Sequence, residues 1–288
     1  MSDPIEKNFN LGGSVEKALA GDFELKPISV ISEAWQLTMR NFLTFSPAVI
    51  LLIAIQAAIF IVALKLQIGD LSAILVMFQD PESLQPGIFQ SIFVANFSYE
   101  VVAAPIYAGV ALMAMSHAAG LRTETRHITK GLPFMMPVIL VTMLNLLSQA
   151  IAGALLPFLS LYLSLAFSNA VLLVCEKRLT PVKALWTSMR AVNKRIFSIA
   201  VIYLVTMFAF VAGMMLYGLG LVIAVPFFFH AKGIIYRNMF GIRLQVVATQ
   251  QDAPKQETEQ DEHIDESDDD NTPPTSGTPR GGSNTFDA

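Results

Sequence analysis

The sequence predicts an all-α fold, a polytopic membrane bundle of about six transmembrane helices arranged as three hairpins. Hydrophobic residues make up 53% of the 288 residues and charged residues only 15%, which is unusual for a soluble domain. Six apolar runs lie between residues 42 and 235, and most Lys and Arg residues fall in alternate connections between these runs. Long apolar runs with cations on one side are typical of helical membrane proteins.

The six apolar runs differ in how well they match a membrane span. A helix needs about 20 apolar residues to cross the hydrocarbon core. The first three runs reach that length, the fourth is short, and the last two are separated by Gly213, Gly218 and Gly220, which favour a tight turn. Six spans is the prediction and five spans is the alternative. The runs are Phe42–Leu64, Ser91–Ser116, Phe134–Leu156, Leu159–Val174, Phe197–Gly213 and Leu216–Ile235.

The distribution of cations predicts the orientation. Of the 19 Lys and Arg residues, four precede the first run, three lie between the second and third, and six lie between the fourth and fifth. Three more lie around the end of the sixth run, namely Lys232, Arg237 and Arg243, and two lie in the tail. The connections on the other side hold only Lys65. By the positive-inside rule, both termini are cytoplasmic. The polar N-terminus has no basic segment followed by an apolar one, so no cleavable signal peptide is expected.

Residues 180–196 predict an amphipathic helix directly before the fifth run. Pro181 suits the first helical turn. One face carries apolar side chains, namely Val182, Leu185, Trp186, Met189, Val192 and Ile196. The other face carries Lys183, Thr187, Arg190 and Lys194. Tryptophan and aliphatic residues opposite cations suit the interface between lipid tails and headgroups.

A related stretch, residues 28–42, precedes the first run. Aligning Thr38-Met39-Arg40 with Ser188-Met189-Arg190 also aligns Ala34 with Ala184. A weaker copy at residues 125–132 precedes the third run. The sequence therefore predicts one unit used three times, in which a cytoplasmic interfacial helix is followed by a membrane hairpin.

Composition divides the chain into three parts. Residues 1–25 are a polar N-terminal segment, residues 26–245 form the transmembrane helical domain, and residues 250–288 are a disordered acidic cytoplasmic tail. The tail region holds eleven acidic residues and too few apolar ones to offset its chain entropy. The one long outer loop, residues 65–90, includes an apolar octet at residues 71–78 that is expected to rest on the outer surface.

Short motifs at the ends of the apolar runs point to a known family. They are Ser32-Glu33-Ala34-Trp35 with Arg40-Asn41-Phe42, then Val174-Cys175-Glu176-Lys177 through Ala184-Leu185-Trp186, and Tyr236-Arg237 with Gly241. The chain resembles the uncharacterised bacterial six-span proteins grouped with the membrane domain of glycerophosphoryl diester phosphodiesterase, over residues 26 to 245. The resemblance implies a multi-pass protein of the bacterial plasma (inner) membrane. The chain has no catalytic barrel, so the resemblance implies no diesterase activity.

Polar residues within the apolar runs are candidates for function, since charges at membrane depth are costly. Glu100 is the one carboxylate in a predicted span. Asn145, Gln149, Ser168 and Asn169 reach a similar depth and would form a polar site with it. Two structural alternatives stay open: Glu100 lies in the outer interface, or the amides bond helix to helix. The four histidines are scattered and predict no metal site, and His230 is expected to be satisfied or to face headgroups.

The sequence carries no nucleotide-binding loop, no nucleophile with a base and no metal-ligand spacing. The leading hypothesis is a non-enzymatic inner-membrane protein without a cofactor or a nucleic-acid partner, which organises the envelope or its lipids or scaffolds partners. Its headgroup contacts would be Arg40, Lys183, Arg190, Lys194 and Arg195. The second hypothesis is a small transporter or channel component that uses the Glu100 cluster. The third is an accessory subunit whose acidic tail recruits a cytoplasmic protein.

Overall fold

The structure is a computed structural model that describes residues 5–69 and 87–248, with side chains for residues 10–69 and 87–243. The acidic tail and the whole apolar octet lie outside the described residues. The elements, in chain order, are β1 (Ile5–Leu11), α1 (Val15–Ala20), α2 (Pro27–Arg40), α3 (Phe42–Ile68), α4 (Ile88–Ala118), a 3-10 helix (Thr125–Phe134), α5 (Met135–Leu155), α6 (Pro157–Ala166), α7 (Ala170–Lys177), α8 (Pro181–Lys194), α9 (Ile196–Met215), α10 (Leu221–Phe240) and β2 (Ile242–Ala248).

The described residues divide into two units. Residues 10–243 form the larger one, which holds the helices. In the smaller one, the two ends of the described chain meet as a two-stranded sheet of β1 and β2. The sequence analysis did not predict this short sheet, because its two strands come from opposite ends of the chain and meet only in the fold.

Five helical segments within the described residues are long and apolar enough to cross a membrane. They are Phe42–Ile68, Ile88–Ala118, Thr125–Leu155, Pro157–Lys177 and Ile196–Met215. The chain is therefore a mainly helical protein with several segments suited to a multi-pass membrane protein, as the sequence predicts. The helix α10 is also 20 residues long, but it carries His230, Lys232 and Arg237, which lower its hydropathy.

Two helices, α4 and α10, form the centre of the larger unit. Only 22% of the apolar window of α3 and of α9 is buried, whereas 67% of that of α4 is buried. The helix α10 buries most of its second half as well. A Cβ added to Gly233 would lie 2.8 Å from the carbonyl oxygen of Ala114, and Arg237 donates to the carbonyl of Ala118. From the first contact to the second, the position moves forward by one turn on both helices, from Gly233 to Arg237 on α10 and from Ala114 to Ala118 on α4. The helices α4 and α10 therefore run parallel.

Three connecting elements lie at one end of this unit, which we call the connector end. They are α2, the 3-10 helix and α8, which pack against α10, α4 and α7 respectively. The 3-10 helix and α8 thus each contact the last helix of the hairpin that precedes them in the chain. The helix α2 precedes the first hairpin, and it contacts α10, the last helix of the unit. The other end, which we call the turn end, contains the tight turns around Leu156 and residues 216–220.

The helices α2 and α8 are closely matched. Each has 14 residues, begins with a proline and leads after one residue into an apolar helix. These bounds align Pro27 with Pro181. Aligning the two Met-Arg pairs instead shifts one helix against the other by one helical turn. In the register of the helix bounds every buried α2 residue matches a buried α8 residue, namely Val30 with Ala184, Ala34 with Ser188, Leu37 with Ala191 and Thr38 with Val192.

The third connector is a 3-10 helix rather than an α-helix. It contains Pro133, which lacks a backbone N–H. It also approaches α4 backbone to backbone, because Gly109 faces the carbonyl of Ile128 and Gly131 faces the carbonyl of Pro105. A side chain at either glycine would collide with that backbone. The close approach explains why the weakest copy of the repeated stretch adopts a different local structure.

Candidate functional site

The helix α8 has three faces rather than the two that the sequence suggests. Leu185 and Val192 are buried, whereas Val182 and Trp186 of the same predicted apolar face are exposed, Trp186 by 58%. Thr187, predicted on the polar face, is buried as well. The protein-facing side combines Leu185 and Val192 with small residues, and the Ser188 hydroxyl donates to the carbonyl of Ala166 at 2.7 Å. The small side chains let α8 pack closely, while Val182 and Trp186 remain exposed.

The helix α2 repeats this arrangement. Ile28, Trp35 and Met39 are exposed, Trp35 by 51%, and the inner edge of Trp35 contacts the Phe227 ring with 6.1 Å between centroids. The five predicted headgroup cations are all exposed, and all lie on or directly after these two helices: Arg40, Lys183, Arg190, Lys194 and Arg195. The connector end thus presents two exposed tryptophans beside exposed cations.

A cavity of about 230 Å³ lies between α4, α5 and α6. Its apolar lining is Phe93, Phe97, Leu146 and Ala150, and its polar lining is Asn96, Glu100, Gln149 and Ser160. The α4 members recur at the spacing of one helix face. Gly153 faces Ser160 across the turn between α5 and α6, so these two helices approach closely there. The structure thereby brings Glu100 and Gln149 together, as the sequence suggests.

Glu100 lies well inside α4. The helix begins at Ile88, so Glu100 is about 18 Å from its start at 1.5 Å per residue. Gln149 lies six residues before the end of α5 at Leu155, which is about 9 Å along the helix. The cavity is therefore close to the turn end and far from the connector end.

The other three predicted site residues occupy different places. Asn145 lies one turn from the cavity, and its side-chain oxygen accepts a hydrogen bond from Gln149 Nε2 at 2.8 Å. Asn169 is wholly buried at the junction of α6 and α7, where its backbone N–H donates to Ser188. Its side chain donates to Ser168. Asn169 thus serves the packing of α8, and neither Ser168 nor Asn169 lines the cavity.

A hydrogen-bonded chain at the connector end was not predicted. It links Thr123, His117, His230 and Thr38, with contacts of 2.8 Å from Thr123 Oγ1 to His117 Nε2, 3.0 Å from His117 Nδ1 to His230 Nε2, and 3.0 Å from His230 Nδ1 to Thr38 Oγ1. The two histidines are 1% and 0% exposed. The Phe45 ring packs against both imidazoles.

One assignment of protons satisfies the whole chain. Thr38 donates its hydroxyl to the carbonyl of Ala34 at 2.8 Å, so it accepts from His230 Nδ1–H. His230 Nε2 then accepts from His117 Nδ1–H, and His117 Nε2 accepts from the Thr123 hydroxyl. Both imidazoles are neutral in this arrangement, and no nitrogen lacks a partner. His230 is therefore satisfied, one of the two outcomes expected, and it joins α2, α4 and α10.

Two carboxylates at the same end are also paired. Glu33 binds Arg237 through two contacts of 2.6 and 2.9 Å. Glu176, with its side chain 8% exposed, pairs with Lys177 at 3.0 Å and accepts from the Tyr236 hydroxyl at 2.8 Å. These residues belong to the motifs on which the family resemblance rests. In this structure they join α2, α7 and α10.

The structure does not place Lys232 at an exposed end of α10, whereas the sequence analysis counts it among the cations at the cytoplasmic end of the sixth run. Its side chain is buried on α10, and Nζ donates to the Tyr107 hydroxyl at 2.6 Å while lying 4.9 Å from the centre of that ring. The ammonium thus finds a hydroxyl and an aromatic face inside the unit.

Within the described residues, no group of three or more His, Cys, Asp and Glu side chains is placed to hold a metal ion. Comparison of the chain with protein-family models, with curated proteins and with solved structures finds no match. The interpretation of function therefore depends on the geometry of the two ends.

Proposed function

We propose that this chain is a non-enzymatic, multi-pass protein of the bacterial inner membrane that holds anionic lipids at its connector end. It would act as an organiser or scaffold of the envelope. The observation that carries the proposal is the matched pair α2 and α8. Each packs one face on the protein, exposes a half-buried tryptophan on another, and has exposed cations alongside.

The proposed topology has six spans as three hairpins, with α10 as the sixth span and both termini in the cytoplasm. Exposed apolar side chains along α9, from Phe197 to Met215, favour lipid around this helix over its full length. The helix α10 returns beside it, since Phe210 and Tyr203 both contact Phe228. A central helix shielded by neighbours tolerates polar residues that a lipid-facing helix does not.

A labelling experiment separates six spans from five. The lone cysteine, Cys175, is buried, whereas Tyr217 is fully exposed in the turn between α9 and α10. Tyr217→Cys should react in intact cells with a membrane-impermeant maleimide, and a cysteine appended after residue 288 should react only after lysis. Labelling of both cysteines from the same side would contradict the topology, and the unsubstituted chain supplies the background.

Fluorescence quenching tests the lipid contact. Trp35 and Trp186 are the only tryptophans of the chain, one on each amphipathic helix, so brominated lipids report on α2 and α8 alone. We expect brominated phosphatidylglycerol to quench the reconstituted protein more strongly than brominated phosphatidylcholine. The reason is that each cation near a charged bilayer contributes about 1 kcal/mol, or about fivefold in local affinity.

A quadruple variant locates the effect. Replacing Lys183, Arg190, Lys194 and Arg195 by Gln in a Trp35→Phe background should abolish the preference for phosphatidylglycerol around Trp186. Lys65→Gln removes an exposed cation in the last turn of α3, away from the connector end, and should leave the preference unchanged. An unchanged preference in the quadruple variant, or no quenching by either lipid, would refute the headgroup role.

A further inference from the structure

We propose that the cavity at the turn end is a binding site for a small organic ammonium ion, with Glu100 as its counter-ion. This proposal is independent of the headgroup role, because the cavity and the cationic helices lie at opposite ends of the molecule. It assigns a ligand class to the residues that first suggested a polar membrane site.

The Glu100 carboxylate has few partners within the described part of the protein to offset the cost of burying its charge. One oxygen, Oε1, accepts a hydrogen bond of 3.2 Å from Asn96 Nδ2. Among the residues that the structure describes, no Lys, Arg or His forms an ion pair with this carboxylate. Oε2 has no hydrogen bond within that part of the chain, although a carboxylate has room for about four. A carboxylate with this capacity is ionised most favourably when a cationic partner lies beside it.

The amides of the cavity present acceptors rather than donors. Asn96 uses its N–H group on Glu100, which leaves its carbonyl oxygen. Gln149 uses its N–H group on Asn145, which leaves its carbonyl oxygen too. Neither amide oxygen accepts a hydrogen bond from any described side chain or backbone group. Together with Glu100 Oε2, these two amide oxygens are three hydrogen-bond acceptors among the residues that line the cavity. A primary ammonium ion has three N–H donors, which matches this number.

The other half of the lining selects against an inorganic cation. Phe93, Phe97, Leu146 and Ala150 are apolar, and the two rings lie one helical turn apart on the face of α4 that carries Glu100. Aromatic rings attract an organic cation through its charge and its alkyl groups. A space of about 230 Å³ is also far larger than the oxygen shell that a small metal ion requires. The chemistry therefore favours an alkylammonium group.

Such an ammonium group has two natural sources, a soluble amine and the headgroup of an aminophospholipid. The cavity lies about 9 Å along α5 from its end at the turn, which is within reach of a headgroup at that surface. The recognition chemistry is the same in both cases, so the experiment must separate the sources.

The direct test is calorimetric titration of the full chain, purified in an amine-free detergent, with butylammonium chloride. We expect saturable binding, with no binding of 1-butanol and no competition by sodium at equal ionic strength. Glu100→Gln keeps the shape and the hydrogen bond to Asn96 but removes the charge, so its affinity should fall at least tenfold. Phe97→Leu should weaken binding about threefold, because it removes the ring while keeping an apolar side chain.

Two control variants should bind as the unsubstituted chain does. Ser98→Ala changes the opposite face of α4, where the hydroxyl bonds only the carbonyl of Val94. Glu124→Gln removes an exposed carboxylate at the connector end that pairs with Arg126. A melting curve in the same detergent confirms that each variant is folded.

The second arm adds lipid. If the source is a headgroup, phosphatidylethanolamine should compete with butylammonium and phosphatidylglycerol should not. If the source is a soluble amine, neither lipid should compete. No saturable binding, equal binding by Glu100→Gln, or a site that takes sodium in preference to butylammonium would overturn the proposal. None of these outcomes bears on tryptophan quenching at α2 and α8, so the two proposals fail separately.

Discussion

The two ends of the helical unit use polar residues in opposite ways. At the connector end, His117, His230, Glu33 and Glu176 all have partners within the protein. At the turn end, Glu100 has a single amide neighbour and faces a cavity. Glu33 and Glu176 lie outside the apolar runs and Glu100 lies within one, but the sequence does not show which of these carboxylates have partners in the fold. The polar groups at the connector end hold the helices together through their mutual contacts, whereas Glu100 lies beside a cavity, where we propose that it binds a ligand.

The largest effect is expected from Arg237, which binds Glu33 on α2 and the carbonyl of Ala118 on α4. Removing one member of a buried pair leaves the other without compensation, which typically costs about 3–5 kcal/mol. The Arg237 side chain is 19% exposed and that of Glu33 is 39% exposed, so solvent screening reduces the cost to about 2–3 kcal/mol. We expect Arg237→Ala to lower the free energy of unfolding, measured by SDS titration in mixed micelles, by that amount.

The matched control for this variant is Arg126→Ala, since Arg126 forms an exposed pair with Glu124 at the same end. It should leave the unfolding curve unchanged, because exposed ion pairs contribute little. Equal losses in the two variants would show that the connector end is sensitive to any loss of positive charge rather than to the buried contact.

The next largest effect concerns the histidine pair. His230→Phe keeps a planar ring but leaves His117 Nδ1–H without an acceptor inside the protein, which should cost about 2 kcal/mol. Replacing both histidines by Phe removes donor and acceptor together. The double variant should therefore lose less stability than the sum of the single variants, by at least about 1 kcal/mol. Additive losses in the same titration would mean that the two imidazoles are not coupled.

A smaller loss is expected at Glu176. Tyr236→Phe removes one hydrogen bond to this carboxylate while Lys177 remains. Hydrogen bonds to charged groups contribute about 1.5–3 kcal/mol. Because the other partners of Glu176 remain in place, we expect the free energy of unfolding to fall by about 1.5 kcal/mol, the lower end of this range. Tyr162→Phe is the control, because its hydroxyl bonds Asn193 at an exposed site. If Tyr162→Phe lowers the free energy of unfolding more than Tyr236→Phe does, the buried hydrogen bond to Glu176 does not contribute more than the exposed one.

Periodicity and hydropathy predicted much of this architecture. The helices α2 and α8 and the five membrane-length segments follow from patterns within single stretches of sequence. The helix bounds align α2 with α8 one turn away from the register of the Met-Arg pairs, and both registers match Ala34 with a buried residue of α8. The 3-10 connector was missed, because the close approach of Gly109 and Gly131 involves two separate elements.

The site was predictable only in part. Depth along each apolar run suggested Glu100 with Gln149, and both line the cavity. It also suggested Ser168 and Asn169, which do not line it; the chain breaks between α6 and α7 at these residues, and the Asn169 backbone bonds Ser188 on α8. The pairing of His117 with His230 joins residues on different helices, and no local pattern marks it. Lys232 was interpreted as a cytoplasmic cation because hydropathy does not reveal which helix occupies the centre.

The most direct test of the central contrast compares the unfolding free energies of Glu100→Gln and His230→Phe in the same micelles. Glu100 contributes no ion pair among the described residues, so its neutral isostere should change stability by less than about 0.5 kcal/mol. His230→Phe should lose about 2 kcal/mol. A loss from Glu100→Gln as large as that from His230→Phe would contradict the account, because the carboxylate would then be part of the helix packing.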